Sequence, residues 1–120
     1  MNIEELDLEK AKEIIISWAK SKQFITRVYI FGSRVSGISK KTGKPVRPDS
    51  DLDVAIDFEP FRNEDQFTTW IADSSEWSKE LAKLLGFTKD EYLDLQHCNA
   101  SHVAKYLEDS SVIIYTKEST

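Results

Sequence analysis

Two aspartates separated by one residue are the first feature of this sequence with an evident chemistry. Asp51 and Asp53 lie in the run Ser50–Asp57, where apolar and polar residues alternate as in a strand. Alternate strand residues share a face, so the two Cα atoms should lie about 6.5–7 Å apart on one side. Such carboxylates can bind one or two Mg²⁺ ions, which prefer oxygen ligands and keep positions for phosphates. The solvated face of an edge strand has the same pattern and is the alternative.

A Gly-Ser turn is the second feature. The β-branched and aromatic run Val28–Phe31 predicts a strand that stops at Gly32 and Ser33. Glycine permits a sharp turn and a close approach of ligand to backbone, and serine is a good helix N-cap. A strand, a turn and a helix start leave N–H groups pointing one way, which favours phosphate binding. An ordinary strand-to-helix turn is the alternative, because so short a motif is common.

Together the two motifs give the order apolar strand, Gly-Ser, loop, Asp-x-Asp, apolar strand. This order resembles the nucleotidyltransferase superfamily that includes DNA polymerase beta and kanamycin nucleotidyltransferase, and most of all its small stand-alone members, the minimal nucleotidyltransferases. The resemblance covers most of the chain. It implies that Gly32, Ser33 and Arg34 bind the nucleotide. It also implies that Asp51 and Asp53 are catalytic residues that hold Mg²⁺ or Mn²⁺.

The resemblance implies a third catalytic, metal-binding carboxylate on a later strand, and Asp94 is its match. Asp94 lies in Tyr92–Gln96, whose alternation predicts a strand with Leu93 and Leu95 on the opposite face. It would join the other two carboxylates if the strands are neighbours. A surface aspartate is the alternative interpretation.

The loop between the two motifs departs from the family pattern. Seventeen residues separate Ser33 from Asp51, more than the usual spacing, and the extra length falls in Ile38–Pro48. This segment contains glycine, proline and four basic residues, which predicts a loop. Its positive charge is compatible with an arm that meets a triphosphate or an acidic partner. A solvated loop with no such role is the preferred interpretation.

Composition and charge limit the classes of protein to which this chain can belong. The chain has 120 residues, predicted as a single domain over 1–120, with 40% hydrophobic and 31% charged residues. Its net charge of −5 argues against direct binding of bulk nucleic acid. A single cysteine, no signal-peptide pattern and no membrane-spanning run predict a cytoplasmic protein. His97, Cys98 and His102 lack the ligand count and spacing of a zinc motif, so no zinc site is predicted.

The helical spacing of apolar residues predicts the helices that support these motifs. Apolar residues at helical spacing predict one helix over Leu8–Ser21 and a longer one that begins with Asn63 as its N-cap and ends at Gly86. A short helix over Ser101–Leu107 and a last strand over Val112–Thr116 follow. The predicted fold class is α+β, with a mixed, mostly antiparallel sheet and helices on one face.

The resemblance to minimal nucleotidyltransferases also implies an activity. It implies Mg²⁺-dependent transfer of a nucleoside monophosphate, AMP from ATP, onto a hydroxyl of a partner protein. Such proteins pair with HEPN-domain toxins as antitoxins in hetero-oligomers, and a toxin tyrosine is the implied acceptor. Apolar residues of the long helix near Trp70 or Trp77 are the predicted contact surface. The alternative from another class is a binding subunit with a lapsed active site, which neutralises its partner by complex formation.

Overall fold

The computed structural model describes residues 6–32, 51–59, 65–98, 103, 107 and 111–117. Its elements in chain order are α1 (Leu8–Ser21), β1 (Ile25–Phe31), β2 (Leu52–Phe58), α2 (Gln66–Leu84), a 3-10 turn (Asp90–Tyr92), β3 (Leu93–His97) and β4 (Ser111–Thr116). The strands form a sheet in the order β3-β2-β1-β4. β1 is antiparallel to β2 and β4, whereas β3 is parallel to β2. The predicted α+β class with a mixed, mostly antiparallel sheet is confirmed.

Helix α1 begins and ends where its periodicity predicts. Asp7 caps it, because its side chain accepts hydrogen bonds from the backbone N–H groups of Glu9 and Lys10. One face of the helix carries the buried side chains of Ala11, Ile15, Trp18 and Ala19. This stripe at spacing i, i+4, i+7 and i+8 is the surface that α1 packs against the sheet.

The N-cap of helix α2 lies two residues later than the cap predicted at Asn63. The N-cap is Asp65, whose extended backbone leaves its Oδ1 atom 2.7 Å from the Thr68 backbone nitrogen that donates to it. The other end matches the prediction. Gly86 has φ +77°, and the N–H groups of Gly86 and Phe87 donate to the carbonyls of Lys83 and Ala82. This pattern is a Schellman motif, which satisfies carbonyls that the helix end would leave unpaired.

The core lies between the sheet and the two helices. The strand residues of this face are fully or almost fully buried: Val28, Ile30, Leu52, Val54, Ile56, Phe58, Leu93 and Leu95. From α2, Trp77 packs its ring against Phe24 at 5.0 Å and Phe58 at 5.3 Å between centroids. Trp18 of α1 donates from Nε1 to Glu80 of α2 at 3.1 Å, so a polar contact also joins the helices.

The opposite face of the sheet carries the aspartates of β2 and β3, and part of it is covered. Val103, which is helical and 1% exposed, forms a small buried cluster with Phe31 and Ala55. Leu107, also helical, packs against the same cluster. The rest of the helix predicted over 101–107 and the whole loop over 38–48 lie outside the described residues. None of the helices in the described ranges has the length and apolar character needed to cross a membrane.

Candidate active site

Strand register brings the predicted carboxylates to one end of the sheet. Asp53 is the Cα partner of Asp94 in the parallel pair of β2 and β3, and the partner of Phe31 in the antiparallel pair of β1 and β2. Partners on neighbouring strands lie about 5 Å apart and their side chains point to the same face. The end of β1 therefore meets the beginnings of β2 and β3, and the two carboxylates lie side by side there.

Gly32 closes this end of the sheet beside Asp53. It follows β1 directly, is buried and has φ +83°, a conformation that favours glycine. A Cβ atom on Gly32 would collide with the Asp53 carboxylate, whose Cγ would lie 3.3 Å from it and one oxygen closer still. The absence of a side chain at Gly32 therefore leaves the room that the Asp53 carboxylate occupies.

The Asp94 carboxylate is held by a neighbour on its own strand. Gln96 Nε2 donates to Asp94 Oδ1 at 2.6 Å. Residues two apart on a strand share a face, so Gln96 can reach Asp94 without any distortion of β3. This amide was not singled out in the sequence, although its i+2 position on the predicted strand is the signal that could have found it.

Asp51 precedes β2 by one residue and is exposed. It lies at the same end of the sheet as Asp53, two positions away along the chain. Ser33 and Arg34, the other residues predicted to bind nucleotide, lie outside the described residues. Of the six predicted site residues, the structure thus places Gly32, Asp51, Asp53 and Asp94 at one end of the sheet.

This donor set fits a hard divalent cation. Carboxylate oxygens from two adjacent strands, with a third carboxylate just before β2, are the ligands that Mg²⁺ prefers. The turn at Gly32 offers backbone at close range, which a phosphate can approach because no side chain intervenes. The arrangement is suited to phosphoryl or nucleotidyl transfer supported by divalent metal.

A second group of potential ligands lies near the other end of β2. Asp57, His97 and Cys98 each offer a ligand atom, and these atoms lie within 4.8 Å of one another. Asp57 is four residues beyond Asp53, about 13 Å along the strand. Burial, and after it the negative charge of nearby Asp57, raise the pKa of the Cys98 thiol to about 12. Burial also lowers the pKa of His97.

The exposed apolar surface of α2 is formed by neighbours of Trp70 and not by the tryptophans themselves. Trp77 is only 7% exposed and belongs to the core, and Trp70 stacks on Phe58 and His97, so neither tryptophan is mainly a surface residue. The exposed apolar residues of this helix are instead Phe67, at 70%, and Ile71, at 65%, which are one turn apart. Leu84 is exposed near the other end of the helix. Sequence periodicity could not show which apolar residues near Trp70 stay exposed, because it does not show how deeply a helix is packed.

Solved structures share this fold. A crystal structure of the toxin–antitoxin complex MntA-HepT aligns with a TM-score of 0.53 and 18% identity, covering 91% of this chain and 73% of that one. A mutant MntA-HpeT toxin–antitoxin complex, with two Asp-to-Glu substitutions two positions apart, aligns with a TM-score of 0.54 and 19% identity, covering 89% and 74%. At these identities the likeness shows the fold alone.

Sequence comparison identifies the family. A search of curated proteins found no match. A family profile described as "Polymerase beta, Nucleotidyltransferase", however, matches residues 13–120, which include β1, β2, β3 and their aspartates. The chain therefore belongs to the polymerase beta nucleotidyltransferase family.

Proposed function

We propose that this protein transfers AMP from ATP onto a hydroxyl group of a partner protein. The observation that carries the proposal is the pairing of Asp53 with Asp94 across β2 and β3, beside Gly32, in a chain of the nucleotidyltransferase family. In the reaction the acceptor oxygen bonds to the α-phosphorus of ATP, the bond to pyrophosphate breaks, and the hydroxyl proton passes to a base.

The proposed roles follow from position. Asp51, Asp53 and Asp94 would hold Mg²⁺ or Mn²⁺, which when bound supplies charge stabilisation for in-line displacement. Asp94 is also the proposed base for the acceptor proton.

Around these carboxylates, Gln96 fixes the orientation of Asp94 through its 2.6 Å hydrogen bond. Gly32, Ser33 and Arg34 would position the phosphates.

The proposed partner is a HEPN-type toxin, with this chain as its antitoxin in a cytoplasmic hetero-oligomer. The two solved structures described above are toxin–antitoxin complexes, and the name HepT points to that toxin class. The mutant complex carries its two Asp-to-Glu substitutions at the spacing of Asp51 and Asp53. A tyrosine of the toxin is the proposed acceptor.

The contact surface on this chain is proposed to be the exposed apolar pair Phe67 and Ile71 on α2. Burying both side chains against a partner removes apolar surface from water, which favours association. The pair lies on α2, which packs on the face of the sheet opposite the aspartates, so contact there leaves the carboxylate end accessible to the acceptor.

The test is transfer of label from α-labelled ATP. Incubation with Mg²⁺ and a HEPN-type toxin that forms a complex with this protein should give labelled toxin and released pyrophosphate, and peptide mapping should place AMP on a tyrosine. Label from γ-labelled ATP should not be transferred. No label on the toxin from either ATP, in a mixture where the two proteins form a complex, would contradict the proposal.

A binding subunit with a lapsed active site is the second candidate. The long spacing between Ser33 and Asp51 and the exposed pair Phe67 and Ile71 favour it. It predicts neutralisation of the toxin by complex formation with no dependence on ATP.

A further inference from the structure

The group formed by Asp57, His97 and Cys98 is separate from the carboxylates of the nucleotidyltransferase site. Asp57 is at the far end of β2, where Ile56 is the register partner of His97. Strand pairing continues one residue beyond β3, because the Cys98 backbone N–H donates to the Ile56 carbonyl at 3.0 Å. This continuation places Cys98 level with Asp57, about 13 Å along β2 from Asp53.

The three side chains offer one nitrogen, one oxygen and one sulfur ligand. These ligand atoms lie within 4.8 Å of one another. Around a tetrahedral zinc ion, with bonds of about 2.0–2.3 Å, ligand atoms are separated by roughly 3.5 Å. Side-chain movements of about 1 Å, chiefly of Asp57 and Cys98, would therefore bring the ligand atoms from up to 4.8 Å to this separation.

Packing holds the imidazole of His97 in place. Its ring lies against Phe58, at 4.9 Å between centroids, and stacks on Trp70 at 5.8 Å. Its Nε2 atom is buried and has no hydrogen-bond partner within the part of the chain that the structure describes. A buried polar atom with no partner costs free energy, and such an atom is often explained by an ion or water that binds nearby.

Charge at the group also suits a cation. Asp57 is an acidic neighbour of Cys98, and its carboxylate attracts a cation. Arg27 is the register partner of Asp57, and its guanidinium is exposed. Its positive charge would repel a bound cation and so opposes binding. Imidazole and thiolate select ions of the zinc type over Mg²⁺, which prefers oxygen.

We propose that Asp57, His97 and Cys98 form a site for a zinc-type divalent cation that joins the end of β3 to β2. Binding replaces the thiol proton: the Cys98 sulfur bonds to the ion and one proton is released to solvent. Three protein ligands leave one position for water or for a ligand from a partner protein. The site is independent of the proposed nucleotidyl transfer.

Cobalt(II) provides a specific test, because a charge-transfer band in the near ultraviolet requires a thiolate ligand and Cys98 is the only cysteine in the chain. Titration of the reduced full-length protein with Co²⁺ should produce this band at one equivalent, and added Zn²⁺ should remove it because zinc binds more tightly. Cys98→Ala should abolish the band.

Variants at the other ligands separate a built site from a lone thiol. His97→Gln and Asp57→Asn should each weaken Co²⁺ binding by at least about tenfold, since even residues outside the ligand set cost that much at metal sites. Asp53→Asn should leave the band unchanged. The proposal is overturned if wild type gives no band at millimolar Co²⁺, or if the folded His97 and Asp57 variants bind Co²⁺ as tightly as wild type.

Discussion

At the scale of single residues, the close approach of the Asp53 carboxylate to Gly32 leads to a first prediction. Gly32→Ala adds a methyl group where the carboxylate lies and forces an L side chain into a φ of +83°. We expect nucleotide transfer to be lost, because Asp53 must move, and the free energy of unfolding to fall by at least about 1–2 kcal/mol. Activity with α-labelled ATP and thermal melting measure the two effects.

Gly86→Ala is the matched control, because Gly86 has a similar φ of +77° but open space where a Cβ would lie. It should lose about 1 kcal/mol of stability and keep its activity. Equal loss of activity in both variants would mean that backbone strain, and not contact with Asp53, explains the effect.

The half-buried thiol of Cys98 leads to a prediction about pH. Its pKa is raised to about 12 in the folded state, whereas an unfolded thiol loses its proton near pH 8.5–9. Between these values the folded state binds more protons, so the thiol's contribution to stability is present below about pH 8.5 and is lost as pH rises. Thermal melting of metal-free protein should show a steeper loss at alkaline pH for wild type than for Cys98→Ala. Parallel curves would contradict this.

At the scale of elements, Trp77 is the largest of the buried side chains by which α2 packs on the core, together with Leu81 and Ala82. Replacement of this buried ring by alanine leaves a cavity against Phe24 and Phe58, and should cost about 3–5 kcal/mol of unfolding free energy. Ile71→Ala, on the exposed face of the same helix, should change stability by less than about 0.5 kcal/mol. Chemical denaturation measures both. A small effect of Trp77→Ala would show that α2 is held by other contacts.

Element types could be predicted from the sequence, while element ends and burial depended on tertiary contacts. Alternation in β2 and β3 put Asp53 and Asp94 on the correct faces, because side-chain direction follows from the strand alone. Strand β1 begins at Ile25, earlier than its apolar run, since pairing with β2 and β4 extends it through the polar Thr26 and Arg27. The cap of α2 is Asp65 and not Asn63, a choice between two good capping residues that propensity does not resolve.

The order of the strands in the sheet could not be predicted from the sequence, and this order decides which potential metal ligands lie close together. Parallel pairing of β2 with β3 confirms the condition that was set for Asp94 to join Asp53. The same pairing brings Asp57 to His97 and Cys98, forty residues later in the chain, where local spacing had indicated no metal site. Such a long-range contact leaves no periodic signal.

At the scale of the whole molecule, the exposed apolar pair of α2 predicts where a partner binds. The double variant Phe67→Ser, Ile71→Ser should weaken binding to the proposed toxin partner at least tenfold, since two large apolar side chains contribute several kcal/mol when buried. Leu84→Ser, also exposed on α2, is the control and should bind as wild type does. Titration calorimetry measures both, and unchanged affinity of the double variant would place the interface elsewhere.

Transfer of AMP by Asp53→Asn is the most direct test of the account as a whole. The substitution keeps the shape of the side chain and removes one negative charge beside Asp94, which should leave folding intact because like-charge repulsion falls. We expect at least a hundredfold slower labelling of the toxin, equivalent to about 3 kcal/mol of barrier, with unchanged melting and partner binding. Asp73→Asn on α2 makes the same chemical change away from the site and should transfer at the wild-type rate. Full transfer activity in folded Asp53→Asn would contradict the assignment of this end of the sheet as the active site.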